Sequence, residues 1–176
     1  FWLRSGEANF LVDCGLFQGS KTLKELNYRP FPFDPGQIDF VLLTHAHIDH
    51  AGLLPRLIKE GFKGPVYMTQ GSKDLLTFML PDSGHIQEIE VEHLNERNRQ
   101  WGVPDVEPIY TRWDAEGAIE RFKTVAYETW IEPVEGVRAR FWNAGHILGS
   151  ASIELELSCG REQRILRMLF SGDIGP

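Results

Sequence analysis

Two cysteines in 176 residues are too few for a disulfide-stapled scaffold. Cys14 and Cys159 do not form a C-x-x-C pair either, so both read as reduced, buried thiols, as expected of a cytoplasmic protein. No stretch approaches the roughly 18 to 20 apolar residues that a membrane helix requires, and no cationic start leads into an apolar run and a small-residue cleavage site. A soluble, unexported chain with no membrane partner is the expectation. Positive charge is also short: 18 Lys and Arg stand against 25 Asp and Glu, a net charge of −7. That balance argues against a protein that wraps nucleic acid by bulk charge, because phosphate binding is dominated by counterion release at Lys and Arg. Bound divalent cations would change the sum locally. The chain opens on "FWLRSG" without a methionine and closes on "MLFSGDIGP", just past an apolar run with the character of a central strand, so a piece of a longer protein is expected. Repeats and low-complexity tracts are missing too.

What is present suits one cored domain, since 42% of the residues are hydrophobic and the length is too small for two comfortable cores. "NFLVDCG" (9–15), "IDFVLLT" (38–44) and "PVYMT" (65–69) are short apolar runs suited to strands buried on both faces. Between the last two, "HAGLLPRLIKEGF" places Leu53, Leu54, Leu57 and Ile58 on one helical side and Gly61 near its end. Strand, helix and strand in that order predict a layered α/β domain. From Ser72 to Trp101 the pattern is helical, with Pro81 and Asp82-Ser83 predicting a break into two helices and Ser83 as N-cap of the second. A short helix is expected over 114–123. Beyond it the period falls to two: Val137, Ala139 and Phe141 alternate in "GVRARFW", Ile153, Leu155 and Leu157 in "ASIELELS", and "CGREQR" resembles a hairpin turn into "ILRMLFSGD".

Three of the six histidines fall within residues 45–50, as His45-x-His47-x-Asp49-His50 at the end of an apolar strand. Alternate residues leaving a strand point the same way, so His45 and His47 can reach one metal, and the tightening of the chain into a helix turns Asp49 and His50 toward a neighbouring position. Imidazole with carboxylate favours zinc over magnesium or calcium, and the spacing implies two adjacent ions. The plainer reading, strand-end polar groups satisfied by hydrogen bonds, fits a lone histidine better than four candidate ligands at this spacing.

The cluster resembles the H-x-H-x-D-H signature of the metallo-β-lactamase fold. Two further pieces come in the order of that fold: "NAGHILGSA" supplies His146, and "LFSGDIG" supplies Asp173. The resemblance implies an αββα sandwich in which His45, His47 and His146 hold a first zinc, Asp49 and His50 a second, and Asp173 bridges them. Asp13 in "LVDCG" is similar to the fold's first motif, an aspartate that buttresses the ligand loop without being a ligand; read alone it is a strand-end turn residue.

The fold hosts hydrolases of thioesters, lactams, lactones and phosphodiesters, so it does not fix function. "DHAGLLP", the "AGHILGSA" loop and "FSGDIG" look like the β-CASP branch, nucleases that include the cleavage and polyadenylation endonuclease and RNase J. The block "MLPDSGHIQEIEVEHLNERN" with "EPIYTRWDAEGAIERF" is similar to bacterial and archaeal members of that RNA-processing branch. The likeness covers essentially the whole chain, residues 1–176, as the amino-terminal part of a metallo-β-lactamase domain. The departure from the family comes after Asp173: the helical β-CASP insertion, its acidic motif and two later histidines are not in this sequence, which leaves the second zinc one ligand short.

The implied reaction is cleavage of RNA, single-stranded by preference, by a hydroxide held between two zinc ions about 3.5 to 4 Å apart, with Asp49 orienting or deprotonating the attacking water. The leaving-group acid falls on none of these residues, so the isolated chain is expected to be nearly inactive. His85 and His93 lie in the helical block eight residues apart, near but not on the same face, and do not read as ligands. Arg97, Arg99, Lys59 and Lys63 read as a solvated face before a phosphate track, and Trp101 as the tryptophan to test for base stacking. Two rivals stay open: a thioesterase of the glyoxalase II kind, which would carry a "GHT" loop, and a non-catalytic scaffold, whose ligands would be lost. Self-association into a homo-oligomer is compatible with all of these features.

Overall fold

The computed structural model describes residues 1–159 and 164–175. The predicted turn at "CGREQR" falls largely outside them, as does the side chain of Cys159. Two sheets lie face to face. The first has five strands in the order β1 (Trp2–Ser5), β2 (Ala8–Val12), β3 (Phe40–Leu42), β4 (Val66–Thr69) and β5 (Phe122–Val125). β1 and β2 form an antiparallel hairpin, and the remaining neighbours pair in parallel, with Leu11 opposite Val41 and Val41 opposite Val66. The second sheet is an antiparallel meander of β6 (Trp130–Val134), β7 (Val137–Asn143), β8 (Ala151–Cys159) and β9 (Arg164–Phe170).

Parallel neighbours require crossovers, and helices supply them. After a short helix α1 (Lys21–Lys24), the β3–β4 crossover holds α2 (Ile48–Ala51) and α3 (Leu54–Lys59), and the β4–β5 crossover holds α4 (Gln70–Gln100) and α5 (Arg112–Ala118). The predicted single helix between β3 and β4 is two, parted at Gly52 and Leu53, where the backbone packs so closely that a Cβ on Gly52 would stand 2.4 Å from the Ile48 carbonyl oxygen. Pro55, in the first turn of α3, has no N–H to lose there.

The predicted break at Pro81 does not occur. α4 runs unbroken for 31 residues with Pro81 inside it. The turn containing the proline is held from outside: Gly84 admits the backbone of residues 111–112, where a Cβ would meet Arg112 N at 2.7 Å, and the Tyr110 hydroxyl donates to Ser83 Oγ at 2.9 Å. Ser83 is therefore a packing partner and not a cap. Thr69 caps the helix instead, accepting from Ser72 N. The helix expected over 114–123 also shifts: Thr111 and Asp114 form a reciprocal capping box, and Phe122 and Lys123 already belong to β5.

Burial tracks the alternation. On β2 and β3, Phe10, Val12, Phe40 and Leu42 face the second sheet and pack against Val137, Ala139, Phe141, Ile153, Leu155 and Leu157. Leu11, Val41 and Leu43 face the other way, into a second core with Leu54 and Leu57 of α3, Leu76 and Leu80 of α4 and Ala115 of α5. The layers are thus helices, sheet and sheet. On the far face of the second sheet the described residues place a ladder of ion pairs, Arg138 and Arg167 with Glu156 and Arg140 with Glu154, in place of a helix layer. These are three layers of an αββα sandwich, with the loops at the carboxyl ends of β2 and β3 meeting the β7–β8 loop and the segment after β9 at one rim.

Candidate metal centre

β3 ends at Leu42, and the chain continues through Thr44 and His45 to His47, the residue that precedes α2 and has an extended backbone. His45 is fully buried and His47 half-buried. His146 arrives on the β7–β8 loop and Asp173 on the segment after β9. One ligand atom from each of these four residues lies within 4.8 Å of all the others. His47 Nδ1 is 3.0 Å from His45 Nε2 and 3.2 Å from His146 Nε2. Asp173 turns one oxygen each way: Oδ2 is 3.8 Å from His45 Nε2 and 3.6 Å from His146 Nε2, whereas Oδ1 is 3.5 Å from His50 Nε2.

A donor set at these distances suits a small cation. Four donors placed tetrahedrally at about 2.0 to 2.1 Å from zinc stand about 3.3 Å apart. Three ring nitrogens converging on one point repel one another through their lone pairs; a proton on His47 Nδ1 would satisfy one neighbour, and a shared cation satisfies all three.

The protonation of His45 is fixed by its neighbours. Thr44 has one hydroxyl proton, and its Oγ1 lies 2.9 Å from the Asp13 carboxylate, which only accepts. The remaining contact, 3.0 Å from Thr44 Oγ1 to His45 Nδ1, must then be donated by the ring, which leaves the Nε2 lone pair facing the cluster. Burial, followed by the neighbouring His50 and His47, lowers the His45 pKa to about 4, so the ring stays neutral and available as a ligand. His50 is pulled the other way: its Nδ1 lies 2.9 Å from Asp13 Oδ2, and that hydrogen bond raises its pKa.

Asp13 thus organises the segment from Thr44 to His50 from behind. Its carboxylate also accepts from Thr44 N at 2.8 Å. Its own backbone is left-handed, φ 60°, a conformation rare outside glycine that costs about 1 to 3 kcal/mol and that short polar side chains tolerate best. The residues after it run alongside α2: Cys14 N donates to His50 O at 2.7 Å and Leu16 N to Ile48 O at 2.9 Å. Gly15 touches the turn so closely that a Cβ would stand 1.6 Å from Asp49 O.

Of the seven residues singled out in the sequence, the structure gathers His45, His47, His146 and Asp173 into one group, sets His50 between Asp173 and Asp13, and places Asp13 behind them. Asp49 is exposed in the first turn of α2 and lies outside the group of four. His85 and His93 are exposed on α4, outside it as well. Lys59 pairs with Asp114 and Arg99 with Asp105, as a solvated face would. Sequence reading misses Thr44 and Ser150. Ser150 Oγ accepts from His146 N at 3.0 Å and Ile147 N at 3.2 Å, closing the loop that carries His146. A serine four residues after a ligand in a glycine-rich loop is the local signal for that role.

The family model of the metallo-beta-lactamase superfamily matches residues 1–176. Among curated proteins, Ribonuclease TTHA0252 of Thermus thermophilus is 35% identical over 98% of this chain and 34% of its own length. Transcription termination factor FttA of Methanosarcina mazei is 32% identical over 98% of this chain and 24% of its own. Cleavage and polyadenylation specificity factor 73 of Drosophila melanogaster is 30% identical over 93% and 21%. The chain therefore spans about a third or less of these relatives. Among solved structures, the metallo-beta-lactamase SMB-1 superposes with a TM-score of 0.56 at 16% identity, over 96% of this chain and 55% of that one. MEM-A1, a subclass B3 metallo-beta-lactamase from a soil metagenome, gives 0.55 at 16% identity, over 96% and 54%. Two facing sheets with histidines and an aspartate gathered at one rim, a match to the family model from end to end and the same fold in solved lactamases lead to one conclusion: the chain belongs to the metallo-beta-lactamase superfamily.

Proposed function

We propose that this chain is the metal-binding part of a zinc-dependent ribonuclease of the β-CASP kind, acting on single-stranded RNA. The observation that carries the reading is the combination of a metal-sized His45–His47–His146–Asp173 cluster with relatives named as a ribonuclease and a cleavage factor over nearly the whole chain. Zinc bound here would polarise a phosphoryl oxygen and bring the pKa of water from about 15.7 down toward 7. His45, His47 and His146 would hold the first ion, each ring neutral. Asp173, with one oxygen toward His45 and His146 and the other toward His50, would serve both positions, and His50 and Asp49 would complete the second as far as this chain can. Asp13 and Thr44 keep the rings in the required tautomers. Asp49, exposed and next to His50 in the chain, would orient the attacking water and take its proton. No described residue is assigned to protonate the leaving oxygen.

The test is the complete protein on labelled single-stranded RNA, single-stranded DNA and a thioester side by side. RNA should be cut in a zinc-dependent manner, and Asp49→Ala or His146→Ala should lower the rate by more than about 10²-fold with the fold intact. Thioester turnover with intact RNA would replace the nuclease reading by a hydrolase of another class, and two bound zinc ions with no turnover of any substrate would favour a scaffold.

A further inference from the structure

The loop that carries His146 hangs from the start of α4. The Gly149 carbonyl accepts two hydroxyl protons, from Thr69 Oγ1 at 2.5 Å and Ser72 Oγ at 2.9 Å, donors lying 80 and 77 residues earlier in the chain and both buried. The Tyr127 hydroxyl donates to the next carbonyl, that of Ser150, at 2.9 Å. Backbone meets backbone at the same point. A Cβ on Gly149 would stand 2.1 Å from Ser72 N, and one on Gly71 would stand 2.9 Å from Gly149 Cα. Gly149 also has φ +78°, which a side chain would strain. From this anchor the turn closes on itself through Ser150 N to Ile147 O at 2.9 Å and His146 N to Ser150 Oγ at 3.0 Å, so the position of Gly149 sets that of His146.

An N-cap needs only its acceptor lone pair. Thr69 uses that lone pair on Ser72 N and sends its proton away from the helix, and Ser72, already inside the first turn, sends its own proton to the same carbonyl. Capping does not require a second donor aimed at the tip of a remote loop. We propose that Thr69 and Ser72 are positioning residues for His146, holding its ring nitrogen at the metal position through the Gly149 carbonyl. This rests on the reading of His146 as a metal ligand. The arrangement couples the first sheet to the second at the site: β4, through the residue that caps α4, fixes the ligand delivered by the β7–β8 loop.

The experiment compares Ser72→Ala, the double variant Thr69→Val with Ser72→Ala, Thr69→Ser and His146→Ala in the complete protein. Three quantities are read: zinc affinity by chelator competition, the visible spectrum of the cobalt(II) form at saturation, and the melting temperature of the metal-free protein. The double variant should lose about 10 to 100-fold in zinc affinity and show an altered cobalt spectrum, with Ser72→Ala intermediate. Thr69→Ser, which keeps the hydroxyl, should retain both affinity and spectrum. Should the double variant prove too unstable to purify, Ser72→Ala, which leaves the Thr69 cap in place, carries the test by the same two readouts. A lower melting temperature with unchanged affinity and spectrum assigns these hydroxyls to helix stability alone and overturns the proposal. If His146→Ala binds zinc as the wild type does, the metal reading itself falls and this one with it; if His146→Ala loses the metal and the hydroxyl variants do not, only the positioning role is overturned.

Discussion

The two halves of the site are built differently. His45, His47 and His50 come from the end of β3 and the turn into α2, within the helix-covered sheet, and His45 has 0% exposure. His146 and Asp173 come from loops of the second sheet, where the Asp173 side chain is 47% exposed. The inner half is fixed by a carboxylate: Asp13 accepts from Thr44 twice and faces His50, and Thr44 in turn fixes His45. The outer half is fixed by hydroxyls and close glycine contacts, with Gly175 N donating to Ala144 O at 3.0 Å and Gly172 lying against Thr44. Charge-assisted bonds in a buried setting are stronger than neutral ones and less readily exchanged for water. The inner half is thus the rigid reference, and the outer half is placed against it at the rim.

The sharpest way to break this comparison is a methyl group in each half. Gly15→Ala puts a Cβ into the Asp49 carbonyl at 1.6 Å, with β2 on one side and α2 on the other and no flexible atom to yield. It should cost about 3 kcal/mol or more of unfolding free energy and take the metal site with it. Gly175→Ala meets the Gly145 carbonyl at 1.9 Å, a clash of similar size between two rim segments that can separate. Its cost should be nearer about 1 kcal/mol. Urea unfolding of the two variants settles the order, and equal costs would mean that the halves are equally rigid.

Asp13 gives the next largest effect. Asp13→Ala removes the carboxylate that accepts from Thr44 N, Thr44 Oγ1 and His50 Nδ1 and leaves His45, His47, His50, His146 and Asp173 in place, so zinc affinity should fall about 10 to 100-fold. Asp13→Asn retains one oxygen for Thr44 N but turns an amide N–H toward a hydroxyl and a ring N–H, and it should fall between wild type and alanine. A chelator-competition titration measures both. Unchanged zinc retention in Asp13→Ala would return this residue to an ordinary strand-end turn.

Much of the inner half is legible in the sequence because it is local: a strand of apolar residues, two histidines at alternate positions and a helix start occupy a single short stretch around residues 40–50. The two cores are legible for the same reason, as alternation in β7 and β8 and apolar runs in β2, β3 and β4 declare their faces directly. What is not legible depends on distant partners. Pro81 reads as a break until Gly84 is seen to admit residues 111–112 and Tyr110 to reach Ser83. β1, β5 and β6 escape a sequence reading because each is four or five residues long and lies at the edge of its sheet, where half-exposed positions blur the alternation, and β6 carries a proline and a register shift besides. That Gly149 answers to Thr69 and Ser72 has no local signal at all.

Cys14 offers the smallest effect and the finest probe of the inner half. It lies between Asp13 and Gly15, its N–H bonded to His50 O and its carbonyl to Leu53 N, and burial pushes its thiol up to about 12. At pH 8 such a group is thiolate in about one molecule in ten thousand, and access is closed as well, so iodoacetamide should leave Cys14 unmodified in the native protein over hours. Modification then requires the segment alongside α2 to open, and its rate reports that opening. Peptide mass spectrometry, which separates Cys14 from Cys159, should show no label on Cys14 in the wild type and measurable label in Asp13→Ala, where the carboxylate that ties the segment to Thr44 and His50 is gone. Rapid labelling of Cys14 in the wild type would mean that the inner half opens freely, and the contrast between a fixed inner half and a placed outer half would not survive it.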